Sequence, residues 1–294
     1  GRDEGVLESN PNGGKRTHMD FNKDSLFDLT GRTAVVTGGA GVLCGTLSRA
    51  LARFGARVAI LDLAEDAARK TAAEIVSAGG QAVGLAADVL EADSLKAARG
   101  AVLKQYSRID ILINGAGGNK PQASTSAEAS FFDLPKDAVR WVFDLNFLGT
   151  LLASQVFGKA MADRGEGVIL NISSMNAFRP LTRIPAYSAA KAAVSNFTQW
   201  LAVHLAQEYT PNIRVNAIAP GFFLTEQNRF LLTDRESGEL SARGRTILAH
   251  TPMNRFGSPE DLVGTTIWLL SPAAAFITGV VVPVDGGFSA YSGV

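Results

Sequence analysis

Apolar residues fall along this chain in short continuous blocks of β-branched and aliphatic side chains, separated by longer Ala-rich stretches whose apolar positions return every three or four residues. The first kind of block predicts a strand and the second an amphipathic helix. From residue 33 the two alternate. The blocks predict strands at 33–38 (TAVVTG), 57–62 (RVAILD), 82–88 (AVGLAAD), 109–115 (IDILING), 167–174 (GVILNISS), 213–220 (IRVNAIAP) and 280–285 (VVVPVD). Such alternation predicts a parallel sheet, because each crossover between parallel strands needs a helix's length of chain. The strands are apolar at successive positions, so helices are expected on both faces. No composition break or short repeat divides the region. The expected fold class is α/β, a single doubly wound domain over residues 25–294 with seven parallel strands in one sheet. Residues 1–24 are polar and turn-rich and read as a flexible tail, with Met19 a candidate native start.

Two stretches are longer than simple connections require, residues 118–135 and 226–252, and both follow predicted strand ends. Ligands of open α/β sheets sit beyond the carboxyl ends of the strands, so these loops are expected to form a substrate pocket or a lid over it.

Composition narrows the partners. The chain carries 28 basic and 28 acidic residues, which removes the electrostatic case for nucleic acid or an anionic membrane. Its one cysteine, Cys44, excludes an internal disulfide and a multi-cysteine metal site, and His18, His204 and His250 are scattered. No metal is therefore expected, and a reducing, cytoplasmic setting fits. The most apolar span, residues 33–63, is broken by Arg49, Arg53 and Arg57, short of the ~18 uninterrupted residues of a membrane-crossing helix. A soluble protein is expected.

TAVVTGGAGVLCG (33–45) passes from a buried strand through a glycine-rich turn into a helical pattern. Such a turn lets backbone approach a pyrophosphate, and the helix start offers free N–H groups and a positive dipole end. Asp62 closes the second strand 24 residues after Gly38, where a carboxylate can accept hydrogen bonds from an adenosine ribose. It would repel a 2′-phosphate, and no Lys or Arg lies in the turn, so NAD is expected in preference to NADP.

In IPAYSAAKAAVSNF (184–197), Tyr187 stands four residues before Lys191, on one face of a predicted helix. A free phenol titrates near pH ~10, too high for proton transfer at neutrality. The neighbouring ammonium is expected to lower it.

Together these residues resemble the short-chain dehydrogenase/reductase family, in its single-domain Rossmann form, over nearly all of residues 29–287. That family's first turn reads Thr-Gly, three variable residues, Gly, an aliphatic residue, Gly. Counted from Thr37, this chain has Val42, Leu43 and Cys44 there, with glycines at 41 and 45, so the backbone path around the phosphates departs from the pattern. The resemblance implies that Gly38, Gly41 and Leu43 meet the phosphates and that Asp88 and Val89 contact adenine. It places NGAG (Asn114, Ala116 and Gly117), where the family reads Asn-Asn-Ala-Gly, beneath the adenosine, and in APGFFLT it has Pro220, Gly221 and Thr225 hold the nicotinamide carboxamide. It also implies that Tyr187 and Lys191 touch the cofactor and that Ser174, thirteen residues before Tyr187, orients the substrate oxygen. Asn146, in FDLNFLG, would support a water-linked proton path to the lysine. A homotetramer is implied as well, with RFGSPEDL and PVDGG serving packing and subunit contact.

Asn119, Lys120, Asn176, Arg179, Gln227 and Asn228 gather near the expected pocket. Amides match hydroxyls and a cation matches a carboxylate, so the small-molecule substrate is expected to be a sugar acid. SSMNAFRPLTRIPAYSAAKAA and GFFLTEQNRFLLTD also resemble the branch of the family that interconverts D-fructuronate and D-mannonate with NAD(H). The alternatives are a gluconate 5-dehydrogenase, a 3-oxoacyl thioester reductase, and a nucleotide-binding protein without turnover.

Overall fold

The computed structural model describes residues 23–224, 232–233 and 239–293. The expected tail up to residue 22 lies outside the described residues, as do Thr225, Gln227 and Asn228.

All seven predicted strands form, in one parallel sheet: β1 (Thr33–Thr37), β2 (Arg57–Asp62), β3 (Gln81–Ala86), β4 (Ile111–Asn114), β5 (Gly167–Ile172), β6 (Ile213–Pro220) and β7 (Val281–Val284). Their order is β3-β2-β1-β4-β5-β6-β7. Five of the seven end one or two residues before the sequence pattern predicts. The physical reason is that the expected terminal residues, among them Gly38, Asp88, Ser173 and Ser174, leave the ladder at the carboxyl edge and turn into the loops. Gly38 does so with φ of 61°, a left-handed conformation that costs glycine little.

The helices are α1 (Lys23–Leu26), α2 (Val42–Arg53), α3 (Glu65–Ser77), α4 (Ala92–Tyr106), α5 (Lys136–Phe143), α6 (Gly149–Arg164), α7 (Pro185–Glu208), α8 (Ala242–Ala249) and α9 (Val263–Leu270). Side chains alternate across each strand. Val36, Ile60, Ile113 and Leu170 pack on one face against α2, α3 and α9. Val35, Leu61, Leu112 and Ile169 pack on the other against α4, α6 and α7. Burying each such side chain stabilises the fold by about 1.5–3 kcal/mol, so a central strand that slipped register would lose core on both sides.

The amino edge of the sheet is held by a buried carboxylate. Asp110 accepts the Thr33 N–H at 2.8 Å and is gripped by Arg108 and Arg164 at 2.6 and 2.5 Å. Burial alone would raise its pKa, and these hydrogen bonds outweigh it and hold the carboxyl below the usual range. With that edge fixed, the loops at the carboxyl edge carry the remaining polar machinery.

Candidate active site

The strand order reverses between β1 and β4, so the chain leaves these neighbours toward opposite faces and a crevice opens between them. A groove of about 570 Å³ lies there. Nine of the expected cofactor residues line it: Gly38, Gly41, Leu43, Asp62, Asp88, Val89, Ala116, Gly117 and Gly221. The first turn of α2 has no side-chain cap and no acidic residue, so its N–H groups and positive dipole end are left for an anion. Asp62 accepts N–H bonds from Ala40 at 3.2 Å and Ala64 at 3.1 Å, which fix its carboxylate against the turn. No Lys or Arg is among the groove-lining residues. This combination of uncapped helix start, close backbone and fixed carboxylate fits a dinucleotide.

Four other described residues of the expected cofactor set, Asn114, Pro220, Tyr187 and Lys191, are not in its lining. The Asn114 side chain turns inward, its Nδ2 donating to Ser154 Oγ at 2.9 Å and Asn171 Oδ1 at 2.8 Å. It ties β4 to α6 and β5 because a buried amide must be satisfied by protein groups. Pro220 is buried at the end of β6. Thr225 lies outside the described residues.

The departure in the glycine-rich turn has a structural counterpart. Cys44 occupies a glycine position of the family pattern, and its thiol packs against Gly115, which stands where that pattern has Asn. A Cβ built on Gly115 would overlap Cys44 Sγ and lie 2.8 Å from the Thr37 carbonyl oxygen. The two changes therefore compensate: the thiol fills the space that residue 115 vacates. Thr37 Oγ1 completes the joint, accepting the Gly115 and Ala116 N–H groups at 3.1 and 3.3 Å. Burial pushes the Cys44 thiol up to about 12, so it packs as a small apolar group. Gly115→Asn should cost about 1–3 kcal/mol of stability and at least about tenfold in NADH affinity. Cys44→Gly should recover most of both losses, as read by urea denaturation and fluorescence titration. Equal damage from Gly115→Asn in either background would contradict the pairing.

The proton-handling residues converge at the same edge. Ser173 and Ser174 divide their roles: Ser173 Oγ donates to the Lys191 carbonyl at 3.1 Å and shares a 2.7 Å bond with Ser195 Oγ, so it anchors α7. Ser174 Oγ accepts the Asn176 N–H at 3.3 Å and lies near enough to the Tyr187 hydroxyl to favour its ionised form. Lys191 is buried, with Nζ donating to the Ile172 carbonyl at 2.7 Å and standing 5.6 Å from the Tyr187 ring centroid.

The expected acidification of Tyr187 by Lys191 is corrected here. Burial pushes the phenol above its ordinary value, and the Ser174 hydroxyl only partly opposes this. Lys191 is itself lowered, to about 8, by burial. Its ammonium is directed at a carbonyl, so Tyr187 stays protonated at neutrality, the form a proton donor needs.

Asn146 sits in one π-helical turn, Asp144–Leu148, between α5 and α6, a distortion that recurs at functional sites. Its Nδ2 donates to the carbonyls of Gly118 and Val142, both at 2.7 Å, and its Oδ1 accepts the Gly118 N–H at 3.2 Å. A Cβ on Gly117 would lie 2.6 Å from Asn146 Oδ1 and 3.3 Å from Lys191 Nζ. The absent side chain thus lets both groups approach the Gly117 backbone closely.

The expected substrate residues are less uniform. Asn176 is buried, accepts the Leu181 N–H at 3.2 Å through Oδ1, and lines a second cavity of about 600 Å³ with Phe131, Leu181 and Ser188. Asn119 Nδ2 donates to Ser124 Oγ at 3.0 Å and pins its own loop. Arg179 is exposed, and its Nε donates to the Ser289 carbonyl at 3.1 Å. That bond ties it to the C-terminal segment. Gln227 and Asn228 lie outside the described residues. Trp141, which the sequence reading passes over, lines the groove and carries Lys120 over its ring. Its only sequence signal is its place on α5 beside the buried positions Ala138 and Val142.

Comparison with known proteins agrees with this geometry. A family model described as enoyl-(acyl carrier protein) reductase, of the short-chain alcohol dehydrogenase type, matches residues 43–289. An uncharacterized oxidoreductase of Bacillus subtilis (strain 168), UxuB, is 51% identical over 276 residues, covering 91% of this chain and 98% of its own. A solved structure from Haemophilus influenza with bound NAD, provisionally named a D-mannonate oxidoreductase, is 49% identical with a TM-score of 0.86, covering 91% of this chain and 98% of that one. The 5-keto-D-gluconate 5-reductase of Escherichia coli (strain K12) is 31% identical over 264 residues, covering 90% of this chain and 98% of its own.

Proposed function

Since the chain belongs to the short-chain dehydrogenase/reductase family and is an oxidoreductase of alcohol groups, we propose that it interconverts a keto sugar acid and its hydroxy acid with NAD(H), D-fructuronate and D-mannonate being the pair. The observation that carries this reading is the grouping of Ser174, Tyr187 and Lys191, with Lys191 Nζ bonded to the carbonyl of Ile172 and close to Gly117, two residues that line the groove. Similarity to the NAD-bound D-mannonate structure and to the 5-keto-D-gluconate reductase supports a sugar acid. The fixed carboxylate of Asp62, in a groove whose lining residues include no Lys or Arg, favours NAD over NADP.

When bound, the nicotinamide supplies the hydride. The protein supplies the remainder. Ser174 Oγ, beside Tyr187, is placed to hold the substrate carbonyl oxygen, and the raised Tyr187 hydroxyl is placed to give it a proton as negative charge develops there. Lys191 and Asn146, which both approach the Gly117 backbone, are placed to return a proton to Tyr187. The homotetramer that the resemblance implies would use the outer face of α7, where Trp200 and Val203 are exposed, together with Tyr209 just past its end.

A substrate panel tests the assignment. NADH oxidation should be fastest with D-fructuronate, slower by at least about tenfold in kcat/KM with 5-keto-D-gluconate, and absent with acetoacetyl thioester. Turnover of the thioester alone would remove the sugar-acid reading. Tight NADH binding with no turnover of any carbonyl compound would favour a nucleotide-binding protein instead.

A further inference from the structure

The loop after β4 carries a cation that the fold itself does not neutralise. Lys120 is half-buried, and among the described residues no carboxylate pairs with it; its ammonium lies 4.0 Å from the centroid of the Trp141 ring. A contact of this kind orients an ammonium without discharging it. Two other cations nearby in sequence are engaged: Arg140 pairs with Asp144 at 3.9 Å and Arg179 donates to Ser289.

The place of Trp141 gives this charge its meaning. Its ring lines the dinucleotide groove and packs on the same small apolar cluster, Ala123, Ala138, Val142 and Ala186, against which Tyr187 packs. The ring thus belongs both to the groove wall and to the cluster that packs against the proton donor, and the ammonium lies over it. The backbone beneath is fixed too. Asn146 holds both polar groups of Gly118, and Ser124 Oγ donates to the Lys120 carbonyl at 3.2 Å.

We infer that Lys120, seated on Trp141, binds the carboxylate of the substrate and selects carbonyl compounds bearing one negative charge over neutral ones. One ammonium with no guanidinium beside it matches a carboxylate, whereas a phosphate would use more donors. The inference rests on the sugar-acid reading and names the residues that recognise the acid.

The test compares enzyme and substrate changes in one cycle. Lys120→Met should raise KM for D-fructuronate about 10- to 100-fold with kcat within about threefold, because the bond is made equally in ground and transition states. Lys120→Arg should recover most of the loss, and Lys136→Met, on the exposed start of α5, should leave KM unchanged. The methyl ester of the keto acid should lose a similar factor with the unmodified enzyme and lose nothing further with Lys120→Met. Calorimetry with D-mannonate in the presence of NADH should show the same weakening without turnover. An unchanged KM in Lys120→Met, or losses that multiply between ester and variant, overturns this inference alone. Inactivity of the unmodified enzyme on every keto acid overturns it together with the reading beneath it.

Discussion

Tyr187→Phe should lower kcat by about 10³-fold or more while NADH binds within about threefold of its original affinity. The change removes one oxygen and keeps the ring, which packs with Ala123, Ala138, Val142 and Ala186. Stability should therefore hardly move. What disappears is the proton donor beside Ser174, protonated at neutrality because burial raises it. Steady-state kinetics and a fluorescence titration read the two quantities separately. Loss of both turnover and NADH binding would mean that Tyr187 is structural.

Lys191→Met should also abolish turnover, by at least about 10²-fold, and it carries a second signature in stability. Lys191 is 5% exposed, and its ammonium bonds the Ile172 carbonyl. Burial lowers its pKa from 10.5 to about 8. Between those values the unfolded chain holds one more proton than the folded one, so the stability attributable to this residue rises with pH. Below pH 8 the buried charge opposes folding by about 3 kcal/mol. The unfolding free energy of the unmodified protein, relative to Lys191→Met, should therefore increase by about 3 kcal/mol from pH 7 to pH ~11. Denaturant melts of both proteins across that range measure it. A constant difference would show that the ammonium is solvated, and the proton path drawn through it would fail.

The sheet was legible because continuous apolar blocks such as ILIN and GVILNI can only be strands buried on both faces. The catalytic trio was legible for another reason. Tyr187 and Lys191 sit one turn apart on one helix, and Ser174 ends the strand just before it, so local geometry fixes much of their relation. Residues whose role depends on distant partners were less visible. Arg179 shows no sign in sequence of its bond to the Ser289 carbonyl, 110 residues away. Asn114 reads as a groove residue, yet its side chain faces inward to Ser154 and Asn171, 40 and 57 residues away. The exchange between Cys44 and Gly115 shows the same limit: each position alone is a departure, and only their contact shows that one compensates the other. The direction of the Tyr187 shift is hidden from sequence because spacing reports that an ammonium is near and says nothing of how deeply the phenol is buried.

The central claim, that this site moves a hydride between NAD(H) and the carbonyl of a sugar acid, is tested most directly by isotope transfer. NADH deuterated at the transferable C4 position is incubated with D-fructuronate and the enzyme, and the product is examined by mass spectrometry and NMR. The account predicts one deuterium per molecule of hydroxy acid, bound to the former carbonyl carbon, and none with Tyr187→Phe over the same time. Product without deuterium, or intact keto acid in the presence of bound NADH, would contradict it.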